Sequence, residues 1–150
     1  MRLARVCLLW ISLSVVVAQR MSAQSLLPQV VGGKTRYNAV IELPKGYLSG
    51  VCVLLNDGDV LKGSFFNEFG ISYLDFSFSS AKDKVRLHSV QAMMDKWYIR
   101  KVLRHDLRML LHRMEEGVGE YQNEKRKMTY RFTPLPEDES ENTEEDESEE

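Results

Sequence analysis

The residues that most often carry catalysis or bind metal ions are few in this chain and do not cluster. Its three histidines are His88, His105 and His112. His105 and His112 would share a helix face but lie about 10 Å apart along its axis, too far to hold one metal ion by themselves. Cys52 lies in a strand-like apolar run, where a buried and inert thiol is the common case. The sequence therefore predicts no metal, no cofactor and no nucleophile–base pair.

Two carboxylates, Glu68 and Asp75, are candidates for acid chemistry because phenylalanines surround both in the sequence. A carboxylate in apolar surroundings can have a raised pKa and act as a general acid. The alternative is structural: Glu68 accepts backbone N–H groups at a turn, and Asp75 faces water or pairs with a cation. No glycine-rich phosphate loop and no Gly-x-Ser-x-Gly motif occurs in the sequence. We therefore expect a non-catalytic protein, with an enzyme centred on Glu68 as the open alternative.

Residues 63–79 hold five of the six phenylalanines. Residues 67–70 predict a bend between two short β-segments. After the bend, apolar and polar residues alternate, so that Leu74, Phe76 and Phe78 share one face. We interpret the apolar residues of this stretch, with one from the next strand, as the lining of a hollow for an apolar ligand. They are Phe65, Phe66, Phe69, Ile71, Leu74, Phe76, Phe78 and Leu87.

From Asp95 onwards the apolar residues recur three and four positions apart, as far as Met114, which predicts an amphipathic helix. Asp95 is its predicted N-cap, and Gly117 is predicted to end it. The opposite face is basic, and we interpret it as a contact surface for anionic headgroups or an acidic partner. The alternative is the ordinary solvated side of a helix. The basic residues are Lys96, Arg100, Lys101, Arg104 and Arg108.

The elements that position these residues are strands upstream of the helix, with apolar runs or apolar–polar alternation and turn residues between them. Gly63, within the third run, indicates a bulge or a close backbone approach. Residues 117–124 are predicted to be a loop, and residues 125–132 an additional strand. The predicted fold is α+β: a curved, unclosed, half-barrel-like antiparallel meander of about five or six strands, packed on one long amphipathic helix. The runs before the helix are 37–43, 47–55, 60–66, 71–78 and 84–89.

Both ends of the chain differ from this central part. Residues 1–23 combine a basic start with an apolar run too short for a comfortable membrane span, which predicts an export signal; an uncleaved anchor is the alternative. Residues 24–36 are predicted to be a leader loop and residues 37–136 a single domain. Residues 137–150 contain no apolar side chain, which predicts a disordered acidic tail. Between the two ends, 17 Lys and Arg face 12 Asp and Glu, so the domain is basic.

Three pieces of the sequence carry a resemblance to known proteins. They are residues 46–51 (Gly-Tyr-Leu-Ser-Gly-Val), 66–71 (Phe-Asn-Glu-Phe-Gly-Ile) with Leu74-Asp75-Phe76, and 94–97 (Met-Asp-Lys-Trp) with Val102-Leu103 and Asp106-Leu107. Their order and spacing resemble an uncharacterised family of small exported envelope proteins of Gram-negative bacteria. The layout is also similar, more remotely, to the lipoprotein-localisation (Lol) carrier and receptor. That resemblance implies a curved antiparallel sheet with helices on its concave side and acyl chains held between them.

These observations predict a non-catalytic exported envelope protein, periplasmic or membrane-associated, that binds an acyl chain or a lipoprotein-like apolar ligand between sheet and helix. The expected partners are a lipid, a lipoprotein or another envelope protein. Nucleic acid is not expected as a partner of an exported protein with an acidic tail, and no transmembrane segment is expected after signal cleavage. The alternative is a structural or protein-interaction module whose phenylalanines are plain core, since a small domain needs that apolar area to stay folded.

Overall fold

A computed structural model describes residues 23–136 of the chain. The export signal predicted for residues 1–23, apart from Ala23, and the acidic tail predicted for residues 137–150 lie outside the described residues. Within residues 23–136 the chain forms seven strands, a short 3-10 helix (Ala92–Met94) and the α-helix α1 (Trp97–Glu115). The strands are β1 (Lys34–Leu43), β2 (Gly46–Asn56), β3 (Leu61–Phe66), β4 (Ser72–Ser79), β5 (Lys84–Val90), β6 (Glu120–Asn123) and β7 (Met128–Pro134).

The seven strands form one antiparallel sheet in the order β5-β4-β3-β2-β1-β7-β6. Strands β1 to β5 make a meander of consecutive hairpins, and β7 returns beside β1, with Ile41 opposite Tyr130. β2 lies in the middle of the sheet, between β3 and β1. The sheet curls into a half-barrel, and α1 packs against it between the edge strands β5 and β6. The predicted α+β half-barrel is therefore confirmed, with seven strands rather than five or six.

The hydrophobic core lies between the sheet and α1. It forms there because apolar side chains alternate along the strands and recur on one face of the helix. On β4, Leu74, Phe76 and Phe78 are buried, and their neighbours in between are more polar. The helix contributes Leu103, Leu107, Leu110, Leu111 and Met114.

A glycine on β3 makes room for one of the large rings of this core. Gly63 lies opposite Phe76 in the strand register. A Cβ atom at position 63 would lie 2.2 Å from Cζ of the Phe76 ring, far inside van der Waals contact. The ring therefore packs directly on the glycine backbone, and the close approach predicted at Gly63 is confirmed.

Two predictions about loops are wrong in part. β1 begins at Lys34, inside the predicted leader loop 24–36, because β2 is long enough to pair with it as far as Leu55. β6 occupies most of the second half of the predicted loop 117–124. Its four residues pair with β7, with Tyr121 opposite Tyr130, so this edge strand owes its existence to its neighbour rather than to an apolar pattern of its own.

The start of α1 also differs from the prediction. Lys96 is the N-cap residue and makes no side-chain capping hydrogen bond. The carboxylate of Asp95, predicted as the cap, instead accepts a hydrogen bond from Arg100 Nε at 2.5 Å. The end of the helix is where the sequence predicted it: Gly117 has a φ of +86°, a conformation that glycine adopts easily after a helix.

The antiparallel order sorts the turns to two ends of the sheet. The β1–β2, β3–β4 and β6–β7 turns lie at one end with the start of α1, and we call this the open end. The β2–β3 and β4–β5 turns lie at the other end with the last turn of α1 and residues 24–33, and we call this the closed end. Hydrogen bonds hold the closed end together: Leu26 N donates to Met114 O at 2.8 Å, and the Tyr37 hydroxyl donates to Leu26 O.

Candidate apolar ligand site

An apolar pocket of about 300 Å³ lies at the open end, between the first half of α1 and the β1–β2 hairpin. The start of β7 and the residues just before it complete the wall. Arg126 is the charged member of the lining, and the other members are apolar or aromatic. The lining residues are Ile41, Leu43, Pro44, Leu48, Met94, Tyr98, Ile99, Val102, Leu103, Arg126 and Met128.

The β1–β2 hairpin supplies its side chains to the pocket because of the strand register. Ile41 lies directly opposite Leu48, so both point to the same face, and Leu43 follows Ile41 on that face two residues later. The pairing of β2 with β3 begins only at Val51. The tip of the hairpin therefore projects past β3 and forms one wall of the pocket.

The space remains unfilled because α1 packs less closely in its first half than in its second. Ile99 and Val102 are half-buried, whereas Leu107, Leu110 and Leu111 are fully buried. The second half of the helix thus lies tightly on the sheet. The first half leaves a gap over the hairpin, and that gap is the pocket.

Large exposed side chains surround this pocket. Trp97 is 77% exposed, and its ring meets that of Tyr98 edge to face at 5.9 Å between centroids. Met93 lies just before them in the chain, and Tyr47 lies at the tip of the hairpin, both also exposed. Tyrosine and tryptophan have an apolar ring and a polar group that can contact water, and such side chains are typical of surfaces that bind an apolar partner.

The eight residues predicted to line a hollow are distributed differently from that prediction, and none of them belongs to the lining of this pocket. Four are fully buried core, because their side chains fill the space between sheet and helix. The four buried residues are Phe65, Leu74, Phe76 and Phe78. Phe66 and Leu87 are half-buried, and Phe69 and Ile71 are exposed.

The exposure of Phe69, at 79%, has a local cause in the β3–β4 turn. The Asn67 side-chain oxygen accepts hydrogen bonds from the backbone N–H groups of Phe69 and Ile71, both at 2.9 Å. This turn fixes the backbone and points both apolar side chains outwards. Asn67, rather than Glu68, therefore takes the structural role that the sequence suggested for the carboxylate.

The other carboxylate of that stretch, Asp75, lies in a network of hydroxyl groups. Its Oδ1 accepts a hydrogen bond from Ser64 Oγ at 2.7 Å, and its Oδ2 accepts one from Ser72 Oγ at 3.3 Å. Asp75 is half-buried, and the partners of its carboxylate are two serines rather than a cation. These occur because Ser64 lies directly opposite Asp75 in the register.

The predicted basic face of the helix is divided between the two ends of the molecule. Lys96 and Lys101 are exposed near the open end, and Arg104 is exposed in the next turn. Arg100 pairs with Asp95 within the same segment, as described above. Arg108 reaches the closed end, where its Nη1 lies 3.1 Å from Asp83 Oδ2.

At the closed end, Asp83 also meets a histidine. His112 Nε2 lies 2.6 Å from Asp83 Oδ1, and its other ring nitrogen lies 3.4 Å from Glu115. The hydrogen bond from His112, followed by the charge of Arg108, lowers the pKa of Asp83. The same hydrogen bond raises the pKa of His112, with a smaller contribution from Glu115. This cluster ties the last turn of α1 to the β4–β5 turn.

A buried carboxylate that sequence reasoning missed lies under the second half of α1. Asp106 is fully buried, and its Oδ1 accepts a hydrogen bond from Asn123 Nδ2 at 2.8 Å. Within residues 23–136, Asp106 Oδ2 and the nearby Tyr130 hydroxyl have no partner in hydrogen-bond geometry. Burial, and then the Asp106 carboxylate, raise the pKa of Tyr130 far above its ordinary value. The sequence did hold a signal: Asp106 falls within the apolar stripe of the helix, beside Leu107.

A bulge brings a serine and a histidine together on β4 and β5. The register shifts between Asp75 and Phe76, which leaves His88 without an opposite residue and places its Nε2 2.8 Å from Ser77 Oγ. A nucleophile–base pair also needs a group that orients the base and a cavity for the substrate. Among residues 23–136, no carboxylate pairs with His88, and the pair lies away from the apolar pocket. We therefore interpret this contact as structural.

The fold and its pocket together define a class: an α+β half-barrel of antiparallel strands with an apolar cavity between its sheet and helix. The part of the chain at 23–136 contains no helix of the length and apolar character needed to cross a membrane. In the same part, no three His, Cys, Asp or Glu side chains are grouped so as to hold a metal ion. Comparison of the chain with protein-family models, curated proteins and solved structures found no match.

Proposed function

We propose that this protein is a non-catalytic exported protein of the cell envelope that holds an acyl chain in the pocket between its curved sheet and α1. This acyl chain would belong to a free amphiphile or to a lipoprotein-like ligand. The observation that carries this proposal is the lining of the pocket, which is apolar or aromatic except for Arg126.

The chemistry of the pocket favours a hydrocarbon chain over a polar ligand. A polar ligand needs hydrogen-bond partners inside a pocket, because burying an unpaired polar group is unfavourable. An acyl chain needs only apolar walls and gains free energy by leaving water. The volume of about 300 Å³ lies at the lower end of the range for small-molecule pockets, which suits one chain. Arg126 supplies a guanidinium group for a carboxylate or phosphate headgroup.

The proposed location rests on the N-terminal sequence. The apolar run and the small residues near position 23 favour export to the periplasm or to a membrane-associated site, with a lipoprotein or another envelope protein as partner. The resemblance of the layout to the Lol carrier and receptor favours the same kind of ligand. Cell fractionation followed by N-terminal sequencing of the recovered chain distinguishes a cleaved signal from an uncleaved anchor.

The test of the ligand is native mass spectrometry of the purified chain with lauric acid, after lipid extraction has identified any ligand that co-purifies. We expect a single bound lauric acid. The variant Leu48→Trp fills the pocket and should abolish binding, because Leu48 lines it. The matched control is Leu87→Trp, since Leu87 is also half-buried but lies outside the pocket.

The outcomes separate the two sets of residues considered for the ligand. Binding that is lost in Leu87→Trp and kept in Leu48→Trp would assign the ligand to the phenylalanine cluster and contradict the pocket proposal. If Leu48→Trp does not fold, Arg126→Glu serves instead: it leaves the apolar walls intact and should weaken the binding of lauric acid about ten-fold or more, as expected for a lost charge-assisted contact.

A structural or protein-interaction module is the second candidate function. The observation that favours it is the complete burial of Phe65, Leu74, Phe76 and Phe78, which lets the phenylalanine cluster act as ordinary core. In that case the purified chain binds no lauric acid and carries no co-purified lipid, and Leu48→Trp changes only the mass of the chain itself. Crosslinking in the envelope fraction would then identify a protein partner.

A further inference from the structure

The open end of the molecule carries two kinds of exposed residue side by side. Around the start of α1 and the β1–β2 hairpin, four large apolar or aromatic side chains face solvent. They are Tyr47, Met93, Trp97 and Tyr98. Phe69 and Ile71 add two more at the neighbouring β3–β4 turn of the same end. A soluble domain seldom leaves so many large side chains at one end without a surface that covers them.

Cations lie among these side chains. All are exposed, and within residues 23–136 none of them forms an ion pair. They come from the β1–β2 turn, the first turn of α1 and the β6–β7 turn. They are Lys45, Lys96, Lys101, Lys125, Arg126 and Lys127. The carboxylates of the same end are fewer, and one of them, Asp95, is already paired with Arg100.

The closed end carries both signs of charge. The carboxylates Asp57, Asp59, Asp83, Glu115 and Glu116 lie there together with the exposed cations Lys34, Lys82, Lys84 and Arg113. The larger excess of cations therefore lies at the open end, which also carries the exposed aromatic rings. A surface with negative charge would favour contact with that end.

We infer that the open end docks on the surface of an anionic lipid bilayer, with Trp97 and Tyr98 at the level of the headgroups and Lys96 and Lys101 among the phosphates. Tryptophan and tyrosine favour that interfacial region, and lysines there keep their charge in water while their stems lie along apolar surface. The inference goes beyond the proposed acyl-chain site, because it rests on exposed side chains and not on a filled pocket.

The two features support each other by position. The pocket shares Tyr98 and Arg126 with the docking end. An acyl chain that leaves the bilayer beneath the open end would enter the pocket without passing through bulk water. An acidic protein would also suit the cations, but the exposed tryptophan and tyrosine, which favour a headgroup region, make the bilayer the better occupant.

The experiment follows Trp97 directly. The chain has two tryptophans, so Trp10→Phe makes Trp97 the sole reporter. We expect its emission to shift to the blue and to be quenched by brominated acyl chains when vesicles of phosphatidylglycerol and phosphatidylcholine are added. Vesicles of phosphatidylcholine alone should produce far less change, and added salt should weaken the effect. Because the readout is local, attachment through residues 1–23 alone does not produce it.

Matched variants test the orientation. Lys96→Gln with Lys101→Gln removes two cations from the open end and should lower vesicle affinity about 25-fold, at about five-fold for each cation. Lys82→Gln with Lys84→Gln removes two exposed lysines from the closed end and should change it less than about two-fold. Both pairs of substitutions are on the surface, and circular dichroism checks that both variants remain folded.

Three results would overturn the inference. The first is that Trp97 stays accessible to iodide on anionic vesicles. The second is that the two double variants lose vesicle affinity equally. The third is that Trp97 becomes shielded without lipid, to an extent that rises with protein concentration. The last result would assign the open end to a second copy of the chain. Lauric acid binding is measured on the same samples to test the pocket proposal independently. The protein could bind lauric acid without docking on vesicles, or dock on vesicles without binding lauric acid.

Discussion

The two ends of the half-barrel differ in how they are held. At the closed end, residues distant in sequence are joined by polar contacts: Tyr37 to Leu26, Leu26 to Met114, and Asp83 to both Arg108 and His112. Near the open end, the ion pair of Asp95 and Arg100 joins residues of one segment, Arg131 lies 3.5 Å from Glu42, and large side chains remain exposed. We therefore expect local stability to be higher at the closed end, which has no candidate site, than at the open end.

The largest expected contrast between the ends comes from truncating one apolar side chain at each. Leu111→Ala opens a cavity in the fully buried part of α1 and should lower the free energy of unfolding by about 2–5 kcal/mol. Trp97→Ala removes a larger side chain, yet should change it by less than about 0.5 kcal/mol, because that side chain is mostly in water. Urea denaturation followed by circular dichroism measures both. Equal losses would show that the open end is part of the core and would break the comparison.

A smaller contrast concerns one hydroxyl group at each end. Tyr37→Phe leaves the carbonyl of Leu26 without its buried donor and should cost about 1–2 kcal/mol of stability. Burial raises the pKa of Tyr37 to about 12, so the hydroxyl stays a donor at any ordinary pH. Tyr47→Phe, at the exposed tip of the hairpin, is the control and should have almost no effect. If thermal unfolding shows no difference between the two variants, residues 24–33 do not hold the closed end as described.

The smallest expected effect is a dependence on pH at the closed end. Asp83 has a lowered pKa, so its contribution is present above about pH 4 and is lost as pH falls. His112 has a raised pKa, so its contribution is present below about pH 6.5 and is lost as pH rises through the raised value. The cluster therefore stabilises most between these limits.

Asp83→Asn should remove the stabilisation that the cluster provides between these two pH limits. The pKa of His112 should then fall back towards its ordinary value. Proton NMR of the histidine ring across a pH titration measures this shift, and thermal unfolding across the same range measures the stability. A pKa of His112 that is unchanged in the variant would contradict the assignment of Asp83 as its main partner.

The strands and the helix were predictable because burial imposes a period on the sequence. Alternation in residues 71–78 and three-and-four spacing up to Met114 both follow from one buried face. β6 was not predictable in this way, because Tyr121 is the one strongly apolar residue of its four and the strand depends on pairing with β7. Register with a neighbour is a long-range property that a local pattern does not encode.

The pocket lies between sheet and helix, but none of the residues that the sequence suggested for a hollow lines it. A space between sheet and helix follows from the fold, but its lining comes from three separate segments of the chain. The density of phenylalanines predicted a hollow at residues 63–79, but three of the five rings there fill the core. Phe69 shows the reason: whether a ring fills, lines or leaves the core depends on the backbone direction at its turn, which the Asn67 side chain fixes.

The buried carboxylate of Asp106 has a consequence for how the helix finds its place. Apolar contacts alone allow the helix to shift along the sheet, because one apolar contact is nearly as favourable as another. A buried carboxyl group does not, because it needs a hydrogen-bond partner, and Asn123 on β6 donates to it at one position along the axis. A placement of α1 displaced by one turn would separate Asp106 from Asn123 and leave the buried carboxyl group without that partner, which is unfavourable.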